Sequence, residues 1–132
     1  MIDDSKPIFL QIAEMIENDI VDGVLAEESQ VPSTNEFAAF HRINPATAAK
    51  GVNLLVDDGI LYKRRGIGMF VATGARDKLV GRRRDEFFVQ YVKPLAREAR
   101  KLGISSGQLA EMLGKEIDTD GAPGPTERVV AL

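Results

Sequence analysis

Apolar residues recur at helical spacing in the first part of the chain. Between Pro7 and Gly23 they describe one apolar face, which predicts a first helix with proline in its first turn and glycine at its end. Ser33 and Glu36 have the spacing of a capping box, in which each side chain accepts a hydrogen bond from the backbone amide of the other residue. A second helix is therefore expected from Ser33 to about His41.

A third helix and a hairpin are predicted to follow closely. Asn44 and Pro45 read as an N-cap followed by a first-turn proline, and the apolar residues after them predict a helix over residues 45–58. Residues 60–63 and 69–71 are strand-like runs, and the glycines between them allow the positive φ that tight turns need. These two runs predict a short β-hairpin.

Two more helices are predicted in the second part of the chain. A long apolar pattern describes a helix that closes at Gly103, and Pro94 is expected to kink it because proline removes one backbone donor. Ser105 opens a second capping box and a short helix that is expected to end at Gly114. Residues 118–125 are polar and rich in glycine and proline, so an irregular tail is expected over residues 115–132.

The order of these elements predicts a mainly α-helical fold with one small β-hairpin. Two short helices joined by a tight turn and followed directly by a hairpin are typical of a winged helix-turn-helix, which we assign to residues 1–75. Residues 76–114 are then expected to form a short two-helix dimerisation region, followed by the tail at 115–132.

Composition excludes several classes of protein. A chain of 132 residues suits one domain plus an appendage rather than a large enzyme. There is no cysteine, and the single histidine, His41, cannot form a multi-histidine metal site. No apolar run approaches the roughly 18 residues that a membrane span needs, and the acidic N-terminus lacks the features of a secretory signal. We therefore expect a cytoplasmic protein that is not an enzyme and has no cofactor, metal or membrane partner.

Charge is distributed unevenly, and this directs attention to local clusters of cations. Residues 1–75 carry 6 basic and 11 acidic side chains, or −5, whereas residues 76–132 carry 11 and 9, or +2. A helix fits the major groove of double-stranded DNA, and cations on a hairpin can contact the flanking backbone. The candidate DNA-binding residues are Ser33, Thr34, Asn35, Arg42, Asn44, Pro45, Ala46, Thr47, Lys50, Lys63, Arg64, Arg65 and Gly66.

The apolar face of the long helix predicts a homodimer. Only one short helix is available to cover it, so a single chain would expose much apolar surface. The expected dimer residues are Phe88, Tyr91, Val92, Leu95, Ala99 and Leu102. A two-fold dimer would present two recognition helices to an inverted-repeat operator. A small effector lodged between the domains near Phe87, Phe88 and Tyr91 is a further hypothesis that no motif supports.

Residues 7–71 resemble the GntR family of bacterial transcription regulators. The resemblance rests on several motifs in fixed order, from PIFLQIAEMIENDIVDG to VPSTNEFAAFHRINPATAAKGVNLLVDDGILYKRRGIGMFV. The INPATAAKG stretch and the short C-terminal region are similar to the YtrA subfamily, whose members lack the large ligand-binding domains of other branches. The resemblance implies a homodimeric regulator that binds DNA, most often as a repressor.

Four residues depart from the family pattern. Asn35 stands where many members have an arginine that contacts DNA, and Ile67 and Met69 occupy wing positions that are often basic or small and polar. Gly51 replaces the more usual alanine in the third helix, at a cost of about 1 kcal/mol in helix propensity. The base preference of relatives therefore cannot be transferred to this chain.

Two alternatives stay open. The run Arg82-Arg83-Arg84 either contacts DNA or pairs with acidic residues of the first domain or of a dimer partner, and we favour the structural role. Winged helices also serve as docking surfaces that bind no DNA, so a protein-interaction module is the alternative function.

Overall fold

The computed structural model describes residues 5–119, which form two compact units, residues 5–80 and residues 81–119. The described elements are α1 (Ile8–Val21), α2 (Thr34–His41), α3 (Pro45–Asp57), β1 (Leu61–Arg64), β2 (Gly68–Val71), α4 (Ala75–Phe87), a π-helical segment (Phe88–Val92), α5 (Lys93–Lys101) and α6 (Ser106–Thr119). The predicted mainly α-helical fold with one small hairpin is confirmed.

The hairpin extends one residue further toward its tip than its apolar pattern indicates, and β1 begins at Leu61 instead of residue 60. β1 and β2 are antiparallel, with Leu61 opposite Val71 and Arg64 opposite Gly68. Backbone pairing does not need apolar side chains, so it continues past the apolar residues as far as the glycine. The turn is therefore reduced to residues 65–67.

The core of the first unit is formed by the inward faces of its helices and by the base of the hairpin. The largest fully buried apolar side chains are Ile12, Ile16, Ile20, Val52, Ile60, Leu61 and Val71. Complete burial of a branched aliphatic side chain stabilises the folded state by about 1.5–3 kcal/mol. These residues lie at the apolar positions from which the helices and strands are predicted. The sequence pattern therefore identifies the core residues of this unit.

α3 approaches α1 too closely at Gly51 for any side chain to fit there. A Cβ atom on Gly51 would lie 2.6 Å from the backbone oxygen of Phe9 and 3.0 Å from the Ile12 side chain. Helix propensity alone makes Gly51 a costly departure from alanine. The structure shows why glycine is present despite this cost, because only glycine allows the two helices to pack at this distance.

Residues 28–31 extend the hairpin on the β2 side, although their sequence carries no strand pattern. The Glu28 amide donates to the Val71 carbonyl at 2.7 Å, and the Val31 amide donates to the Met69 carbonyl at 2.9 Å. The segment before α2 thus supplies hydrogen-bond partners to β2. A run this short contains too few residues for an alternating pattern to be recognised.

The start of α4, residues 75–80, belongs to the first unit. Leu79 is buried in its core. The Arg76 Nε donates to the Val21 carbonyl at 3.0 Å, and the Lys78 Nζ donates to the Asp58 carbonyl. Both acceptors lie at the C-terminal ends of helices, α1 and α3, where unsatisfied carbonyls and the helix dipole favour a cation.

The long helix predicted before Gly103 is interrupted in the second unit. α4 passes into the π-helical segment Phe88–Val92, which leads directly into α5 with Pro94 in its first turn. The Lys93 amide donates to the Phe88 carbonyl, the longer spacing that defines a π-helix. This wider turn lies just before Pro94, which has no amide to donate and whose ring crowds an α-helix. The distortion expected at Pro94 thus takes the form of a π-helical turn.

The expectation that the last helix ends at Gly114 is wrong. α6 continues through residues 115–119, which are therefore helical and not part of an irregular tail. Gly114 does not adopt the positive φ that ends a helix, and a glycine inside a helix costs only about 1 kcal/mol. Lys115 lies 3.5 Å from the Glu111 carboxylate one turn earlier, which adds a weak helical contact. The rest of the predicted tail, residues 120–132, lies outside the described residues.

Gly51→Ala is expected to destabilise the protein by about 1–3 kcal/mol, because the new Cβ would overlap the Phe9 carbonyl. Gly81→Ala is the matched control, since Gly81 is helical and has open space around its Cβ position. Alanine there should stabilise the protein by about 0.5–1 kcal/mol. Urea unfolding measures both free energies. Unchanged or greater stability of Gly51→Ala would contradict the close packing of α3 on α1.

Candidate nucleic-acid interface

The predicted capping box forms the start of α2. The Ser33 hydroxyl accepts a hydrogen bond from the Glu36 amide, and the Glu36 carboxylate accepts one from the Ser33 amide, both at 3.1 Å. Hydrogen bonding to Ser33, first through its backbone and then through its side chain, lowers the pKa of Glu36. The first amides of a helix have no acceptor within it, so those of Thr34 and Asn35 are available to an anion such as phosphate.

Arg42 connects α2 to α3 in a left-handed conformation. Its φ is 55° and its ψ is 49°, values that glycine adopts readily. For a residue with a side chain, the left-handed conformation costs roughly 1–2 kcal/mol in conformational free energy. The arginine side chain is exposed, so a cation is held at a strained position next to α3. Strain of this kind motivates a functional hypothesis for Arg42.

Asn44 caps α3, and the residues after it divide into inward and outward sets. The Asn44 Oδ1 accepts a hydrogen bond from the Ala46 amide at 2.7 Å. Ala48 is buried and Thr47 is half-buried, whereas Pro45 and Ala46 are exposed. Small side chains on the exposed side allow the backbone of the helix to approach a flat or grooved partner closely.

Lys50 is exposed on α3, but its ammonium group also contacts α1. The Lys50 Nζ lies 4.0 Å from the centre of the Phe9 ring, within the range of a cation–π interaction. The ring therefore supports the lysine in one orientation at the surface. Sequence reasoning missed this role of Phe9, because the apolar pattern of α1 indicates only core packing for it.

The wing carries three consecutive cations. Lys63 and Arg64 are the last residues of β1, while Arg65 and Gly66 begin the turn, and all four are exposed. The Arg64 guanidinium carbon lies 5.3 Å from the centre of the Phe70 ring on the opposite strand. This contact orients Arg64, whereas Arg65 projects from the turn itself.

Glu28 joins the base of the wing to the segment before α2. One carboxylate oxygen accepts a hydrogen bond from the Thr73 hydroxyl at 2.6 Å, and the other accepts one from the Tyr62 hydroxyl. These hydrogen bonds, with Thr73 first, lower the pKa of Glu28, and the bond to Glu28 raises the pKa of Tyr62. The three residues are far apart in the sequence, so no local pattern could have indicated the contact.

All thirteen candidate DNA-binding residues lie in the first unit, and none of them is buried. Ser33 and Asn44 act as the helix caps that the sequence predicts. The remaining candidates are polar, cationic or small residues at the starts of α2 and α3, in the turn between them, or on the wing. Their contact with DNA stays a prediction.

Most of the candidate dimer residues are exposed on the second unit. Tyr91 and Leu102 are 62% and 64% exposed, and Phe88 and Leu95 are also exposed. Ala99 is only 7% exposed within the single chain, so it offers little surface to a second copy. Dimer formation through this surface stays a prediction.

Two of the three candidate effector residues contact each other through their rings. The rings of Phe87 and Tyr91 lie 5.6 Å apart between their centres. Phe88 is exposed beside them in sequence, and Val92 at the end of the π-helical segment is half-buried. Because all three aromatic side chains are more than half exposed in the single chain, a ligand there would need a further covering surface.

Two kinds of site are absent from residues 5–119. In that range, no group of three or more histidine, cysteine, aspartate or glutamate residues is placed to hold a metal ion. No helix in the same range is both long enough and apolar enough to cross a membrane. His41 lies in the last turn of α2, with its ring centre 4.6 Å from that of Phe37 and 4.9 Å from that of Phe40.

Comparison with known proteins identifies relatives of this chain. The family described as "Bacterial regulatory proteins, gntR family" matches residues 9–71. The uncharacterized HTH-type transcriptional regulator YhcF of Bacillus subtilis (strain 168) is 30% identical over 117 residues, which cover 89% of this chain and 93% of YhcF. The HTH-type transcriptional repressor YtrA of the same organism is 28% identical over 116 residues, which cover 88% of each protein.

Solved structures are similar to the chain as well. A putative transcriptional regulator of the GntR family from Bacteroides thetaiotaomicron has 33% sequence identity and a TM-score of 0.66, covering 86% of this chain and 99% of that one. The DNA-binding domain of AraR, solved in complex with operator ORX1, has 27% identity and a TM-score of 0.52, covering 55% of this chain and 93% of that one.

Acidification is expected to weaken the attachment of the wing at Glu28. A carboxyl group whose pKa is lowered in the folded state stabilises it above the unfolded pKa, and this stabilisation is lost as the pH falls through the folded pKa. The urea midpoint of the wild type should therefore fall more between about pH 7 and about pH 3 than that of Glu28→Gln. Thr73→Val, which removes the main donor, should reduce the same pH dependence. Parallel profiles for the wild type and Glu28→Gln would argue against this contact.

Proposed function

The chain belongs to the GntR family of bacterial regulatory proteins, and from this premise we propose that it is a homodimeric transcriptional repressor that binds an inverted-repeat operator. The family and the relatives are transcription regulators and not enzymes. The observation that carries the proposal is an exposed, capped start of α3 in the same compact unit as a wing with three cations. This combination suits a recognition helix in the major groove with flanking backbone contacts.

The start of α3 would enter the major groove. Thr47 and Lys50 would meet base edges or phosphates, since lysine donates readily to the O6 and N7 of guanine. Arg42 and the first amides of α2, at Thr34 and Asn35, would bind the phosphate backbone and set the orientation of the protein. The wing would reach the adjacent minor groove. The similarity to the DNA-binding domain of AraR, solved with an operator, supports this arrangement.

Two copies would join through the apolar surface of the second unit. Ala99 is the one buried side chain among residues 81–119, so this unit has almost no core of its own. Apolar residues exposed in water favour association with a complementary apolar surface. A two-fold dimer then presents two copies of α3 to half-sites about 34–36 Å apart, or a multiple of that distance. The operator would accordingly be an inverted repeat.

Repression would follow from an operator that overlaps the site where polymerase binds. The similarity to YtrA, which is named a transcriptional repressor, supports this outcome.

A small effector at Phe87, Phe88 and Tyr91 would alter DNA affinity if it bound one arrangement of the dimer more tightly than another. A thermal-shift screen that finds no ligand, together with unchanged DNA affinity, would contradict the effector step.

Fluorescence anisotropy with the DNA upstream of the protein's own gene, against a shuffled duplex, tests DNA binding across a salt series. The wild type should prefer the native duplex and lose affinity steeply as salt rises, because phosphate contacts release counterions. Lys50→Ala and Arg65→Ala should weaken binding, and each lost phosphate contact should reduce the salt slope by about 1. Lys115→Ala removes an exposed lysine of α6 and should leave binding unchanged.

The same proteins should be used to select sequences from a random duplex pool. Enrichment of an inverted repeat by the wild type would establish sequence-specific binding even if the upstream DNA contains no operator. If no sequence is enriched, the repressor proposal fails, and a protein-docking role becomes the better explanation of the winged helix.

Tyr91→Asp is expected to convert the dimer into a monomer, because it places a charge within the apolar surface. Light scattering should give twice the chain mass for the wild type and the chain mass for the variant. Loss of the dimer should lower operator affinity by about 100-fold or more, since the two heads no longer bind together. Ser106→Asp adds the same carboxylate at an exposed position of α6 and should remain dimeric. A monomeric wild type would contradict the proposal.

A further inference from the structure

The tip of the wing carries one large apolar side chain. Ile67 is 56% exposed and lies between Gly66 and Gly68, which have no side chains. Isolated exposed apolar residues are common on proteins, so exposure alone indicates no function. The position is unusual, however, because β-branched residues favour strands, whereas glycine, proline, asparagine, aspartate and serine dominate turns.

The backbone of this tip is held in a defined conformation. The Ile67 amide donates to the Arg64 carbonyl at 2.9 Å, and the Ile67 carbonyl accepts from the side-chain amide of Gln30 at 3.1 Å. Gly66 has a φ of 75°, and Gly68 has a φ of 147°. A Cβ on Gly68 would lie 2.5 Å from the Gln30 Nε2, so a side chain there would displace the Gln30 amide from this position. Both backbone polar groups of Ile67 are satisfied, and its side chain is the part that can meet a partner.

The surroundings of Ile67 suit the minor groove of DNA. This groove is about 6 Å wide, and the glycines on either side of Ile67 add no side-chain width to the tip. Arg64 and Arg65 precede the tip and are exposed, so they match the charge of the phosphates that line the groove. Apolar side chains, including isoleucine, are used by other proteins as wedges in the minor groove.

We infer that Ile67 contacts the floor of the minor groove and selects A·T pairs against G·C pairs, an inference that rests on the proposed DNA-binding function. In this groove, G·C pairs differ from A·T pairs by the 2-amino group of guanine, which is a hydrogen-bond donor. Isoleucine pressed against that group would collide with it and would bury the donor without an acceptor. A·T pairs lack the group and leave room for the side chain. Ile67 therefore determines the preference for A·T pairs by excluding G·C pairs.

Three versions of a duplex that the wild type has selected from a random pool test this inference. The base pairs beside each major-groove half-site, where the wing would lie, are made all A·T, all G·C or all inosine·cytosine. Inosine lacks the 2-amino group of guanine but presents the same major-groove acceptors. The wild type should bind the A·T and inosine·cytosine duplexes alike and the G·C duplex about tenfold more weakly.

Substitutions at the tip separate the isoleucine from the arginines next to it. Ile67→Ala keeps both arginines but has a side chain too short to reach the floor, so it should bind all three duplexes alike. Ile67→Val retains an apolar branched side chain and should retain the discrimination. Ile8→Ala, which removes an exposed isoleucine from α1, is the matched control and should behave as the wild type does.

Each other outcome has a distinct meaning. Equal binding of the three duplexes by the wild type, or full discrimination in Ile67→Ala, would overturn the inference and leave the proposed function intact. Equally weak binding of the G·C and inosine·cytosine duplexes would also overturn it, because groove shape rather than the amino group would then be read. If the wild type selects no sequence, the proposed function itself fails, and this inference fails with it.

Discussion

The close contact of α3 with α1 governs the placement of the candidate recognition helix. At Gly51 the two helices approach until the Phe9 carbonyl leaves no room for a methyl group. Ile12 and Val52, on either side of this contact, are fully buried. The ring of Phe9 in turn supports the ammonium group of Lys50. One helix contact therefore closes the core and orients a surface cation, so a change that loosens the core would also displace a candidate DNA contact.

The wing depends on a second set of long-range contacts. A two-stranded hairpin is only marginally stable in water by itself, so a wing that presents cations needs support from the rest of the unit. Here the segment before α2 pairs with β2, Glu28 accepts hydrogen bonds from Tyr62 and Thr73, and Gln30 holds the tip through the Ile67 carbonyl. The cations of the wing are thus carried on a backbone that residues distant in sequence keep in place.

The second unit buries far fewer apolar side chains than the first unit. The first unit buries apolar residues from several helices, whereas residues 81–119 bury only Ala99 and expose aromatic and aliphatic side chains. A segment of this size buries too little apolar surface for a stable independent core. The aromatic and aliphatic side chains that it exposes are the basis of the proposed dimer, since such side chains favour association with a complementary apolar surface. This contrast explains why the first unit could be anticipated in detail and the second less well.

Local patterns in the sequence determined the order of the elements, the N-caps of α2 and α3 at Ser33 and Asn44, and the family resemblance. They could do so because caps, turns and apolar periodicity act over a few residues. They failed at Gly114, where a small local preference did not end the helix. Only the tertiary structure decided why Gly51 is glycine, that Phe9 supports Lys50, and that the wing is tied to the segment before α2. These contacts join residues far apart in the chain, and their geometry exists only after the helices have packed.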